Sequence, residues 1–131
     1  MYKALKRRKE ERKKAIHLSA EYAKNLEKNI GSFTAILHGS YARGDFNSGS
    51  DIDVLVISDS LPSNALERMD LLYQHVQGGI DPKGYTRAEF LKMLRSNNPL
   101  AVDAMENGEV LSDDGFWNSK KQLSEMIKPK D

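Results

Sequence analysis

Apolar residues recur at helical spacing over the first part of the chain: Ala15, Leu18, Tyr22, Leu26 and Ile30 stand three or four places apart. Before Ala15 the pattern is almost entirely charge, and after Ile30 comes Gly31, a residue suited to ending a helix. This predicts one long helix over residues 3–30, its second half packed on a core and its basic first half projecting into water. A short β-rich run follows at 33–37 and ends in His38-Gly39-Ser40. Residues 41–50 carry turn chemistry (Gly44, Asn47, Gly49), and 51–57 read as a second strand, DIDVLVI. A loop through Asp59 and Pro62 leads to a helix over about 64–77 bearing Leu66, Met69, Leu72 and Val76. Gly78-Gly79 then introduce a weak strand at 80–85, interrupted by Pro82. Thr86 and Glu89 are spaced as a capping box for the helix TRAEFLKML. A helix at 99–107, a short strand at 109–112 and a closing helix at 116–127 complete the pattern.

Strands and helices mixed in this order predict an α/β (α+β) fold, a small mixed sheet of three or four strands flanked by helices. At 131 residues the chain is expected to be a single domain. A basic helical arm would occupy 1–14, a catalytic core 15–96 and a helical closure 97–131.

Composition narrows the chemistry. The absence of cysteine excludes disulfides, thiolate metal sites and a thiol nucleophile. No apolar run has the ~20 residues of a membrane span, and the basic start lacks the apolar stretch of a secretory signal, so no membrane contact and a cytoplasmic location are expected. The net charge of +1 conceals an asymmetry. Residues 3–14 hold eight basic side chains against Glu10 and Glu11, a surplus of six, which leaves −5 for the rest. Such an arm can contact RNA, dock an acidic protein or stand solvated.

The strand DIDVLVI carries the clearest chemical signal. Alternation puts Asp51 and Asp53 on one face with Leu55 and Ile57, and Ile52, Val54 and Val56 on the other. Two carboxylates on one face of an apolar strand repel each other and resist desolvation. A divalent cation answers both problems, and hard oxygen donors select Mg²⁺ or Mn²⁺. The competing reading is a solvated pair at a frayed strand start. Gly39-Ser40 ends the preceding strand, where glycine admits a phosphate to the backbone and the amides and hydroxyl can donate to it. A hairpin-like crossing would bring this cradle to the same end of the sheet as the carboxylates, as in-line phosphoryl transfer requires.

Gly39-Ser40, Ala42-Arg43-Gly44 and Ser50-Asp51-x-Asp53 with its apolar tail resemble the signature of the nucleotidyltransferase superfamily that includes DNA polymerase β. Within it they look most like the minimal nucleotidyltransferase (MNT) group. The motif covers 39–56, and the flanking elements extend the likeness to 15–96. The resemblance implies a nucleotidyltransferase fold and metal-dependent transfer of a nucleoside monophosphate from an NTP, with ATP the expected donor. The acceptor is a hydroxyl and pyrophosphate is released. It further implies two Mg²⁺ ions on Asp51 and Asp53, with a third carboxylate from a neighbouring strand. Asp81 is the candidate, as metal ligand or as base. Pro82-Lys83-Gly84 depart from the aliphatic run usual after that third acid, and an Asp-Pro turn competes with a strand there. Gly39 and Ser40 would hold the triphosphate. Arg43 can reach it or pair with Asp45, and Ser50 can bind phosphate or merely cap a turn. Many short MNT proteins are antitoxins that silence a HEPN toxin by transferring AMP to a tyrosine, which implies a HEPN-domain partner. Two alternatives stay open: a non-catalytic module acting by complex formation, and a transferase of aminoglycoside-type small molecules.

Overall fold

A computed structural model of the chain describes residues 2–127. The long first helix forms as the spacing predicts, α1 spanning Tyr2–Ile30. Four strands follow, β1 (Thr34–His38), β2 (Ile52–Ile57), β3 (Ile80–Tyr85) and β4 (Glu109–Ser112), in one sheet of order β3-β2-β1-β4. β1 runs antiparallel to both β2 and β4, while β3 runs parallel to β2. A parallel neighbour needs a crossover, here supplied by α3 (Ala65–Tyr73). The remaining helices are α2 (Ser40–Arg43), α4 (Arg87–Arg95), α5 (Pro99–Asn107) and α6 (Lys120–Ser124).

The alternation in β2 sorts the core into two halves. Val54 and Val56 face a cluster with Ala15, Tyr22, Ala23 and Leu26 of α1 and Leu72 of α3. Leu55 and Ile57 face the other side, with Phe90 and Leu94 of α4, Ala101 and Ala104 of α5, and Trp117. The sheet is therefore covered on both faces, which is why β2 reads as a nearly continuous apolar run. Asp53 lies on the α4/α5 side, at the end of the sheet where that packing stops.

Pro82 does not break β3. The carbonyls of Gly79 and Tyr85 accept from Ile52 and Ser58, so the odd-numbered residues of β3 turn their backbone groups toward β2. Pro82, being even, faces the free edge, where a missing N–H costs no ladder bond. Gly84 is small for a packing reason: a Cβ there would meet Leu72 and Leu61 side-chain carbons at 2.8 and 3.0 Å. The Asp-Pro turn is thus replaced by a strand in register with β2.

Three expectations need correction. The helix predicted at 64–77 ends at Tyr73, and its Leu66 and Met69 are 74% and 57% exposed rather than packed. Residues 116–127 form a 3₁₀ turn (Trp117–Ser119) followed by α6, because Asp113 and Asp114 accept from the Gly115, Phe116 and Trp117 amides and set a tight turn first. The basic arm does not simply project into water. Arg8 donates to the Phe46 and Gly44 carbonyls at 3.0 and 2.7 Å and stacks over the Phe46 ring at 4.3 Å. Arg12 donates to the Tyr41 carbonyl at 3.0 Å and pairs with Glu109 at 2.6 Å. The capping box of α4 is present as the spacing predicts, with Thr86 and Glu89 bonded reciprocally.

Candidate active site

The site is built where β1 ends and β2 begins. Because the two strands are antiparallel, His38 at the end of β1 stands opposite Asp53, and on the other side of β2 the parallel register sets Asp53 beside Asp81. Three ionisable side chains thus lie in one row across the sheet. Gly39 turns the chain away with φ 73° and ψ −155°, a conformation open essentially to glycine alone. A Cβ at Gly39 would overlap the Asp53 carboxylate, so the backbone passes directly against that acid. Ser40 then opens the single turn of α2. The loop to β2 is held by Tyr41 stacked on Phe46 at 4.4 Å, by Arg8, and by the Asn47 amide donating to Ser50 Oγ at 2.8 Å.

Of the residues the sequence singled out, Gly39, Asp53 and Asp81 are brought together. Asp51 precedes β2 and is exposed. It is close enough for its charge to act on Asp53: burial first, then Asp81, then Asp51 push the Asp53 carboxyl above the ordinary carboxylate value. Ser50 closes the Asn47 turn. Arg43 pairs with Asp45 at 3.2 Å and with Asp103 at 3.1 Å, so both partners of its guanidinium are carboxylates of the chain itself.

Asp103, on α5, was not picked out by the sequence. It accepts the Gly39 amide at 2.9 Å, Arg43 at 3.1 Å and Asn107 at 3.0 Å, and lies 3.8 Å from His38 Nδ1. Burial raises its carboxyl, but the Gly39, Asn107 and Arg43 donors outweigh that and leave it below the ordinary value. His38 is buried and its Nε2 has no partner among the described residues; desolvation lowers its pKa more than Asp103 raises it, so the ring is neutral at pH 7. Nothing local marks Asp103, one of two acids on α5 (with Glu106), which stands 64 residues from Gly39 in the chain. Tyr73 was also missed. Its Oη donates to Asp81 Oδ1 at 2.9 Å, while Lys83 Nζ lies 3.3 and 3.4 Å from the two Asp81 oxygens. Its spacing from Leu66 and Met69 makes it look like one more residue of a packed stripe.

The donor set suits a hard divalent ion. Asp53 and Asp81 are adjacent, repel each other, and offer only oxygen. Among the described residues no group of three or more histidines or acids is gathered to hold a metal by itself. Mg²⁺ does not need such a cage, since it is commonly held by one or two carboxylates together with substrate phosphates. Between α3 and the β3 edge opens a cleft of about 340 Å³ that Tyr73 and Lys83, the two side-chain partners of Asp81, line together with Arg68, Met69, Pro82 and Tyr85 among others; Asp81 itself is not in its wall. Among the described residues, no helix is long and apolar enough to cross a membrane.

Comparison with known proteins places this arrangement. The nucleotidyltransferase domain profile matches residues 19–127. A Methanocaldococcus jannaschii protein named "Putative protein adenylyltransferase" is 32% identical over 117 residues, covering 83% of this chain and 78% of its own length. A Sulfolobus solfataricus crystal structure described as a putative nucleotidyltransferase superposes with a TM-score of 0.61 at 19% identity, over 79% of this chain and 84% of that one. A toxin-antitoxin structure determined with AMP-PNP superposes with a TM-score of 0.52 at 18% identity, over 80% of each chain. At those identities the two structures speak for the fold alone. The profile match spans most of the chain and includes the whole β1-to-β2 motif, and on that ground the chain belongs to the nucleotidyltransferase domain family and is a nucleotidyltransferase.

Proposed function

We propose that this chain transfers the nucleoside monophosphate of ATP to a hydroxyl group of a protein, releasing pyrophosphate and depending on Mg²⁺. The observation that carries the reading is the register setting Asp53 beside Asp81 while the Gly39 backbone runs against the Asp53 carboxylate. A phosphate approached through Gly39 and Ser40 would then lie next to both acids. Asp51, Asp53 and Asp81 would hold the divalent ions, which when bound neutralise charge on the phosphates and on the leaving pyrophosphate. Ser40 and the α2 backbone donate to the triphosphate, and Asp103 keeps the Gly39 amide and Arg43 in position. Asp81 accepts the proton of the attacking hydroxyl. A protein acceptor is favoured by the name of the Methanocaldococcus relative and by the open cleft that Tyr73 and Lys83, the partners of Asp81, help to line. The toxin-antitoxin neighbour supports a protein partner, for which a HEPN-domain toxin is the specific expectation.

The test uses ATP labelled on the α- or the γ-phosphate, Mg²⁺ and the candidate partner. Label should pass to protein from the α-position only, with equal release of pyrophosphate, and Asp51→Asn and Asp53→Asn should both abolish it. A second reading, stoichiometric binding without transfer, is favoured by the Lys83 ammonium that already pairs with Asp81. It predicts partner binding unchanged by Asp53→Asn and no label on any acceptor.

A further inference from the structure

The proposed reaction needs an acceptor hydroxyl at Asp81, and this chain already places one there. Tyr73 is the last residue of α3 and is 45% exposed, while the adjacent Leu72 makes the packing contact with the core. The Tyr73 Oη nevertheless donates to Asp81 Oδ1 at 2.9 Å, inside the ~2.6–3.2 Å reach over which a base can take a proton. The bond is not needed to balance the Asp81 charge, because Lys83 Nζ already bridges both of its oxygens. Asp81 is in turn the register neighbour of Asp53. The phenol therefore stands beside the acid assigned as base, at the edge of the open cleft, on a residue the core does not use.

We propose that Tyr73 is an acceptor in cis, so that the chain nucleotidylates itself at this phenol. The inference rests on the transfer reading above and specifies one acceptor for it. Tyr73 Oη forms a bond to the α-phosphorus of ATP. The bond from that phosphorus to the oxygen bridging to the β-phosphate breaks, and pyrophosphate leaves with the bonding pair. The phenolic proton passes to Asp81 Oδ1. The product is a tyrosyl phosphodiester on a residue that itself lines the cleft beside Met69 and Tyr85, so self-modification would obstruct that cleft for outside acceptors.

Three measurements on the full chain test this. Incubated alone with α-labelled ATP and Mg²⁺, the protein should take up a single label that venom phosphodiesterase removes, and tandem mass spectrometry should locate AMP on Tyr73. The half-time should not change on dilution, as a reaction in cis requires, and Tyr73→Phe should lose the label while Tyr2→Phe keeps it. Without turnover, α,β-methylene-ATP with Mg²⁺ should slow nitration of Tyr73 by tetranitromethane several-fold and leave Tyr2, 78% exposed, unaffected. Label on another residue, a half-time that shortens with concentration, or unprotected Tyr73 overturns the assignment. So does an unlabelled chain that still labels an added tyrosine peptide, and in that case the transfer reading survives. If no acceptor is labelled and no pyrophosphate forms, the transfer reading falls and the Tyr73 assignment falls with it. Mapping and nitration use the unaltered protein, so misfolding of Tyr73→Phe would not shield the proposal.

Discussion

Gly39 is constrained twice, by its positive φ and by the carboxylate its backbone touches. Gly39→Ala should therefore destabilise the fold by at least about 2 kcal/mol in urea melts, strain of ~1–3 kcal/mol being typical of such backbone positions, and should abolish nucleotidyl transfer. Asp53 makes the opposite case. Its carboxyl is raised by burial and by its acidic neighbours, so the folded state binds its proton more readily than the unfolded state does. Its contribution to stability then falls as pH rises from the ordinary 3.8 through the raised value. Above that window the ionised group is a net cost. Asp53→Asn should thus raise the metal-free Tm at pH 7 by a few degrees, about 1 kcal/mol corresponding to roughly 3–6 °C in a domain of this size. If Asp53 holds Mg²⁺ as proposed, the same change should also remove any rise in Tm that Mg²⁺ gives the unaltered protein, and should cut transfer at least ~100-fold, more than supporting partners of a metal ligand usually cost. A lower Tm for Asp53→Asn would contradict the strain assigned to this acid.

At the scale of elements, the first helix is a clamp on the motif rather than a free basic arm. Arg12 satisfies the Tyr41 carbonyl and pairs with Glu109, tying α1 to the start of β4. The ion pair is partly exposed, at 34% and 41%, and alone contributes little. Together with the carbonyl contact, Arg12→Ala should cost about 1 kcal/mol, whereas Lys13→Ala, on the exposed side, should stay within ~0.5 kcal/mol. Equal effects in thermal melts would mean that the clamp adds nothing. On α3, Leu66→Ser should likewise leave stability within ~0.5 kcal/mol, because Leu66 is exposed and not part of the core. A large loss would restore the packed face that its spacing suggests.

Across the whole molecule, acid stability follows from groups on different elements. His38 is buried neutral, with its pKa below the ordinary 6.5. The unfolded chain takes up that proton first, so stability falls as pH drops below about 6.5. Glu89, Asp103 and Asp114 have lowered carboxyl values. Their contributions are present above the ordinary 3.8–4.5 and are lost as pH falls through the depressed values. Tm should therefore decline in two stages, gently as pH falls below 6.5 and more steeply below about 4. His38→Gln should flatten the first stage and leave the second. A first stage unchanged in that variant would exclude His38 as its source.

What the sequence determined by itself has local causes. The 3.6-residue period of α1, the alternation of DIDVLVI, the Thr86 cap and the Gly39-Ser40 and Asp51-x-Asp53 spacing all act between residues close in the chain. They sufficed for the sheet, the flanking helices and the family. What only the tertiary structure decided depends on partners far apart in sequence. Pro82 is tolerated because β3 lies at an edge, and edge position depends on strand order. The apolar stripe of Leu66 and Met69 is exposed because α3 turns Leu72 to the core instead. Arg8 and Arg12 are tied down, though still partly in water, because folding brings carbonyls of residues 41–46 to them. Asp103 and Tyr73 reach Gly39 and Asp81 only once α5 and α3 have packed on the sheet, and a single carboxylate or phenol carries no period that could announce such a contact.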